Sequence, residues 1–177
     1  LGSATTIPAE MFAGCTSITT VTIPKSIETI GTSAFDGCSK LATLTLGTGV
    51  TTLGDRAFAD CGLTALALPD NVTTLGDGAF SNNPNIATLQ FGAGLTAISD
   101  NAFATNNLTI PKTIATIGAG SFANWSKLTK LTISGNTLTS IGSKAFENAA
   151  LLADVYAEPT TAPAVQADSF SGAGTSV

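Results

Sequence analysis

Apolar positions in this chain return in a fixed order with a period near 23, and each return is marked by a phenylalanine. Phe12, Phe35, Phe58, Phe80, Phe103, Phe122, Phe146 and Phe170 stand 23, 23, 22, 23, 19, 24 and 24 residues apart. A small residue precedes the Phe, Cys or Asn follows it three positions on, and apolar residues come at six, nine and eleven. Two more apolar positions near fifteen and eighteen lead into a glycine at nineteen. The second unit reads Ala34-Phe35-Asp36-Gly37-Cys38, then Leu41, Leu44, Leu46, Val50, Leu53 and Gly54. The first holds Ile18, Val21, Ile23, Ile27, Ile30 and Gly31 in those places, and the third runs one residue early. The fourth ends on Ser99 where the others have glycine. A unit this short cannot bury its apolar face alone, so copies must stack around one continuous column.

Within each unit the alternating pairs Thr20-Val21-Thr22-Ile23 and Thr43-Leu44-Thr45-Leu46 predict short strands with one face inward. Strands of successive coils then pair in parallel, and both ends of the stack carry unpaired edges that need caps. The aromatic segment, from Gly31 to Cys38 and its equivalents, predicts a helical or 3₁₀ turn against the column. The expectation is therefore an α/β solenoid, a right-handed stack with one short parallel strand per coil and little regular helix. Gly31, Gly54, Gly76, Gly118 and Gly142 mark a corner that requires either a positive φ or a close backbone approach. Pro24, Pro69 and Pro111 end the strands at a second corner, because proline cannot donate to the ladder.

At 177 residues, 44% of them apolar, the chain is excluded from the disordered class. Charged residues make up only 11%, against about 25% in an average soluble protein. With a net charge of −5 and no basic run, the footprint that neutralises phosphates is missing, so no nucleic-acid partner is expected. No apolar run approaches the ~20 residues that span a bilayer, and Leu1-Gly2-Ser3-Ala4 does not open a signal peptide. The chain has no histidine, which removes the commonest general base and metal ligand together.

The run from Ile23 through Pro24, Ile27, Ile30, Gly31, Ala34, Phe35 and Cys38 to Leu41 has close variants from Ile7 to Phe146. It resembles the leucine-rich repeats of bacterial cell-surface proteins of the BspA-like, Treponema pallidum type. The tail, Val155-Tyr156-Ala157, then Pro159, Pro163 and Ala167-Asp168-Ser169-Phe170, resembles the altered final repeat of that family. The resemblance implies one repeat domain over 1–177, of about seven coils, with 153–177 as a divergent C-terminal cap stopping at Val177. It also implies an exported protein of a host-associated or anaerobic bacterium, extracellular or at the cell surface, whose repeats form an adhesion or ligand-binding array. The family motif contains no catalytic residues, so no enzyme and no cofactor is expected. The chain departs from the pattern in lacking about four residues between Phe103 and Leu108, and in an extra residue near Asn136.

Several residues invite a chemical role. Cys15, Cys38 and Cys61 occupy one slot in successive coils, continued by Asn83, Asn106, Trp125 and Ala149. A ladder of buried thiols, a disulfide and a metal site are the readings of that slot, and parallel Cβ vectors with an odd count weigh against a bridge. Trp125 either fills the gap left by the shortened coil or contacts a ligand. The outward strand positions run Thr20/Thr22, Thr43/Thr45, Ala65/Ala67, Thr88/Gln90, Asn107/Thr109, Lys130/Thr132 and Asp154/Tyr156. The threonines serve as β-favouring neutral filler, and an ice-binding array is broken after two coils. Toward the C-terminus the stripe turns polar and aromatic, so Gln90, Lys130, Asp154, Tyr156 and Trp125 are the candidate partner-binding residues, with a host or matrix protein as ligand. The alternative is a structural spacer with no ligand of its own, which the bland outward positions favour. Acidic residues such as Asp36, Asp55, Asp60, Asp70, Asp77 and Asp100 sit at turns and do not form a catalytic pair.

Overall fold

The computed structural model describes residues 4–103, 107–123, 125, 128–158 and 161–174; Asn106, Pro159 and Val177 lie outside them. The expected single strand per coil is corrected to two strand positions, because the Thr-apolar pair before the corner glycine, such as Thr29-Ile30 and Thr52-Leu53, also pairs in parallel with its neighbours. The longer position carries β2 (Thr20–Thr22), β4 (Thr43–Thr45), β6 (Ala65–Ala67), β8 (Thr88–Gln90), β10 (Asn107–Ile110), β12 (Lys130–Ile133) and β14 (Asp154–Ala157). The shorter carries β1 (Thr6–Ile7), β3 (Thr29–Ile30), β5 (Thr52–Leu53), β7 (Thr74–Leu75), β9 (Ala97–Ile98), β11 (Thr116–Ile117), β13 (Ser140–Ile141) and β15 (Ala164–Val165). All the paired strands are parallel and join equivalent residues of neighbouring coils, such as Val21 with Leu44 and Ile30 with Leu53. The result is a parallel β-solenoid of about seven turns.

The rings make the axis of this stack. Successive centroids lie 4.9, 5.0, 5.5, 5.6, 6.2, 5.2 and 4.9 Å apart from Phe12 to Phe170, with interplanar angles of 18° or less. Such separations suit stacked rings, and they match the spacing of paired strands that sets them. The widest step, Phe103 to Phe122, falls at the shortened coil. Around the rings Ile30, Leu41, Leu53, Leu63, Ile86, Leu95, Ile98 and Leu108 are fully buried.

The α/β expectation is corrected here, because among the described residues the aromatic segments are turns and none is a helix. The cause is local. Two residues before the Phe the backbone is left-handed at Glu10, Ser33, Arg56, Asn101 and Lys144 (φ 58°, 53°, 53°, 53° and 56°). Two residues after it the same holds at Gly37, Asp60, Asn82 and Asn148. A helix needs an uninterrupted right-handed run, so the segment closes single i→i−3 turns instead, as in Ala34 N–H to Gly31 O and Cys38 N–H to Phe35 O. The alternation also aims every second N–H along the stack. Ser33, Phe35 and Gly37 donate to Asp55, Ala57 and Ala59 of the following coil at 2.8, 2.8 and 3.0 Å. The aromatic segments are thus a third ladder between coils, with all donors pointing toward the C-terminus.

Of the two roles open to the corner glycines, the close approach is the one found. A Cβ on Gly54 would stand 2.6 Å from Thr32 N, and one on Gly142 would stand 2.7 Å from Ala119 N. Strands β2, β6 and β10 end just before the Ile23-Pro24, Leu68-Pro69 and Pro111 corners.

Candidate functional site

The slot three residues past each Phe has one chemistry, which its mixed residue types conceal. Cys38 Sγ donates to Phe12 O of the preceding coil at 3.2 Å, and Cys61 Sγ donates to Phe35 O at 3.3 Å. Asn83 Nδ2 does the same to Phe58 O at 2.8 Å, while its Oδ1 accepts from Leu63 N. The Trp125 indole N–H reaches Phe103 O. Cys, Asn and Trp share little except a side-chain donor, and the Phe carbonyl it meets is buried in the column. Ala149 and Ala173, in the last two coils, bring no side-chain donor.

All three thiols are free, so the disulfide reading fails. Among the described residues no group of three metal-ligating side chains comes together. Burial pushes the Cys61 thiol up to about 12 and raises the Cys38 thiol as well, with the neighbouring Cys15 and Asp36 adding to the latter. A thiol reagent at neutral pH is therefore expected to label half-buried Cys15 first, with Cys38 and Cys61 reacting only on unfolding, as mass spectrometry of the labelled chain would show. Unfolded thiols ionise near 9.0 whereas the Cys61 thiol stays neutral to about 12. The unfolded chain then binds fewer protons, so stability falls as pH rises through that window. Cys61→Ala should flatten the fall in urea melts recorded between pH 8 and 11.

Trp125 leaves the candidate set. It is 2% exposed and its ring meets Phe122 edge-on at 4.7 Å, so the indole is packed inside the stack and does not lie on the outward face. The other four candidates lie on the outward face of the longer strands and are exposed. The register pairs Lys130 with Asp154 and Thr132 with Tyr156, which makes one contiguous patch on β12 and β14. Tyr156 is 58% exposed. Gln90, on β8, is separated from that patch by β10 and borders a cleft of about 500 Å³ lined by Leu89, Phe91, Thr109 and Pro111. Toward the N-terminus the same face carries only exposed Thr and Ala, from Thr20 to Ala67.

The carboxylates have structural partners. Arg56 donates two bonds to Asp36, both at 3.0 Å, and one to Asp60 at 2.7 Å. Asp55 Oδ1 accepts from Asp77 N, and Asp70 Oδ1 accepts from Ala93 N, both at 2.9 Å. Asp55 and Asp70 thus cap backbone groups one coil on, which is turn chemistry extended along the stack.

These features define a leucine-rich repeat solenoid built on an aromatic column. The model of the BspA type leucine rich repeat region matches residues 5–110 and 104–174, and the chain belongs to that family. No curated protein matches it at a significant level. Among solved structures it is similar to the T. pallidum leucine-rich repeat protein TpLRR, at 23% identity and a TM-score of 0.64, covering 90% of this chain and 66% of that one. The pneumococcal vaccine antigen PcpA matches at 22% identity and a TM-score of 0.61, with 86% and 56% covered. A leucine rich cell surface protein of Faecalibacterium prausnitzii matches at 18% identity and 0.51, with 96% and 66% covered. The chain thus spans under two thirds of each of these structures' length, and likeness at such identities establishes a common fold. Among the described residues no helix is long and apolar enough to cross a membrane.

Proposed function

We propose that this chain is a non-enzymatic protein-binding repeat module, displayed at a bacterial cell surface or secreted, that contacts its partner through the C-terminal part of the outward strand face. The observation that carries this reading is the patch of Lys130, Asp154 and Tyr156 on paired strands. It puts a cation, an anion and an exposed aromatic side by side on a face that carries only Thr and Ala from Thr20 to Ala67. Aromatic and charged groups on a rigid scaffold are the usual anchors of protein interfaces, and repeat solenoids present extended faces for this purpose. Gln90 extends the same face. A relative of the same fold is named a cell surface protein, and another a vaccine antigen, which supports the location. We take 1–177 as one right-handed repeat domain with 153–177 as its terminal repeat.

The test is binding of the purified chain to a panel of host and matrix proteins. A specific contact is expected at about 10 µM or tighter, with the double variant Lys130→Ala/Tyr156→Ala weakening it at least about tenfold. Uniform failure across the panel, or indifference to the double variant, rejects the reading. The bland Thr and Ala positions favour the second reading, a spacer, and deletion of two whole repeats separates them: a spacer tolerates it and a binder loses affinity.

A further inference from the structure

We propose that the cleft between β8 and β10 is a binding site for a neutral saccharide unit. It lies in the middle of the chain, at a seam of the stack. The longer strands join as β6-β8 and as β10-β12-β14, and the shorter ones as β1-β3-β5-β7 and as β9-β11-β13-β15, so both strand ladders are interrupted between the same two coils. Across that seam the third ladder continues, with Gly78 N–H donating to Asp100 O at 2.8 Å and Phe80 N–H to Ala102 O at 3.0 Å. The longer ladder is also open between β4 and β6, but there Thr64 N–H still reaches Ala42 O at 3.2 Å and β5 remains paired with β7.

The interruption leaves backbone groups facing one another without a bond. Leu68 N–H donates to Gln90 O at 2.9 Å, so the alternation of a parallel ladder turns the N–H and C=O of Leu89, and the N–H of Phe91, toward β10. Ser134 N–H donates to Ile110 O at 2.9 Å, which turns the N–H and C=O of Thr109 toward β8. Among the described residues no backbone bond joins these groups. The cleft of about 500 Å³ beside them, lined by Leu89, Gln90, Phe91, Thr109 and Pro111, has a size usual for small-ligand sites. Its aromatic wall is particular to this coil. The equivalent Ile23, Leu46, Leu68, Ile110 and Ile133 are aliphatic and buried, whereas Phe91 is half-buried, with its ring at right angles to that of Phe103 at 5.6 Å.

These walls select the occupant. A strand cannot enter, because an added strand needs about 4.8 Å to each neighbour, and the stacked rings of Phe80 and Phe103 hold the two coils at 5.6 Å. None of the five lining residues is ionisable, so a charged ligand would lose hydration without meeting a counter-charge. A purely apolar side chain would cover the free amides and carbonyls of Leu89, Phe91 and Thr109 and leave them unsatisfied. An uncharged ligand with an apolar face and a rim of hydroxyls meets every one of these conditions, and a pyranose ring is such a ligand. Its C–H face lies against Phe91 and Pro111, while its hydroxyls bond the free backbone groups, the Gln90 amide and the Thr109 hydroxyl. The site stands apart from the patch of Lys130, Asp154 and Tyr156 on β12 and β14.

Amide NMR of the isotope-labelled full chain, titrated with maltotriose, cellotriose and triacetylchitotriose, tests this, with digalacturonate as the anionic control. At least one neutral sugar is expected to shift the amide resonances of Leu89, Phe91 and Thr109 with a Kd of about 1 mM or tighter, and digalacturonate to leave them in place. Phe91→Leu, a side chain the same slot already holds at Leu46 and Leu68, should weaken binding at least about tenfold. Thr109→Val, at an exposed strand position where valine is well tolerated, should weaken it severalfold with the fold intact. The double variant Lys130→Ala/Tyr156→Ala should leave it unchanged, so this outcome is independent of the protein-binding reading above. Absence of any shift at these amides with the neutral sugars up to about 10 mM overturns the proposal. Equal binding of digalacturonate overturns it too, as does binding indifferent to both Phe91→Leu and Thr109→Val or abolished by the double variant.

Discussion

Replacing Phe58 with alanine is expected to destabilise the fold by about 3 to 5 kcal/mol, the usual cost of emptying a buried aromatic site. Phe58 is fully buried and stacks on Phe35 at 5.0 Å and on Phe80 at 5.5 Å. The void it leaves should not collapse, because the aromatic-segment ladder and the β3–β5–β7 ladder hold Phe35 and Phe80 at their spacing. Nearest-neighbour energetics add a second effect: an array weakened in the middle tends to break into two halves that melt apart. Urea melts of Phe58→Ala are therefore expected to show an early midpoint and a reduced slope or a second transition. Phe12, half-buried with one stacked neighbour, is the control and should cost about half as much or less. Equal losses at both positions would mean that the column is not the continuous element described.

Gly54→Ala should be nearly as damaging although it adds a single methyl. That carbon would sit 2.6 Å from Thr32 N and 2.8 Å from Gly31 C, backbone atoms that cannot swing away without parting two coils. Overpacking of this kind typically costs about 1 to 3 kcal/mol where side chains can yield, and here only backbone can, so the upper end or beyond is expected. Gly14→Ala is the contrasting change. Its Cβ would meet nothing within 4 Å, and its φ of +69° exacts only the left-handed penalty of about 1 to 2 kcal/mol. Thermal melts of the two variants separate the effects, and a Gly54→Ala chain as stable as Gly14→Ala would remove close backbone approach as the reason for the corner glycine.

Spacing alone carried most of the architecture. The interval between phenylalanines gave the ring column, and the Leu-x-x-Leu-x-Leu stretch gave the register of the longer strands and the identity of every outward residue. The aromatic segment was not legible, because Glu10, Ser33 and Arg56 are not residues that announce a left-handed backbone. They adopt it because a bond to the next coil compensates, and that bond is invisible to any local pattern. The slot held by Cys38, Cys61, Asn83 and Trp125 read as a small corner position, since size is what Cys and Asn first suggest. Their shared donor was the signal available, and Trp125, large but still a donor, was the residue that pointed to it. The candidate patch was legible as a list of exposed residues, whereas the adjacency of Lys130 to Asp154 came from strand pairing.

The one-way aim of the aromatic-segment donors has an electrical consequence. Peptide groups aligned in register add their dipoles along the axis, as in an α-helix. Here the N–H groups look toward the C-terminus, so the positive pole sits at the last winding and the negative pole at the first, the reverse of helical polarity. A long array of such windings would carry that field from one tip to the other.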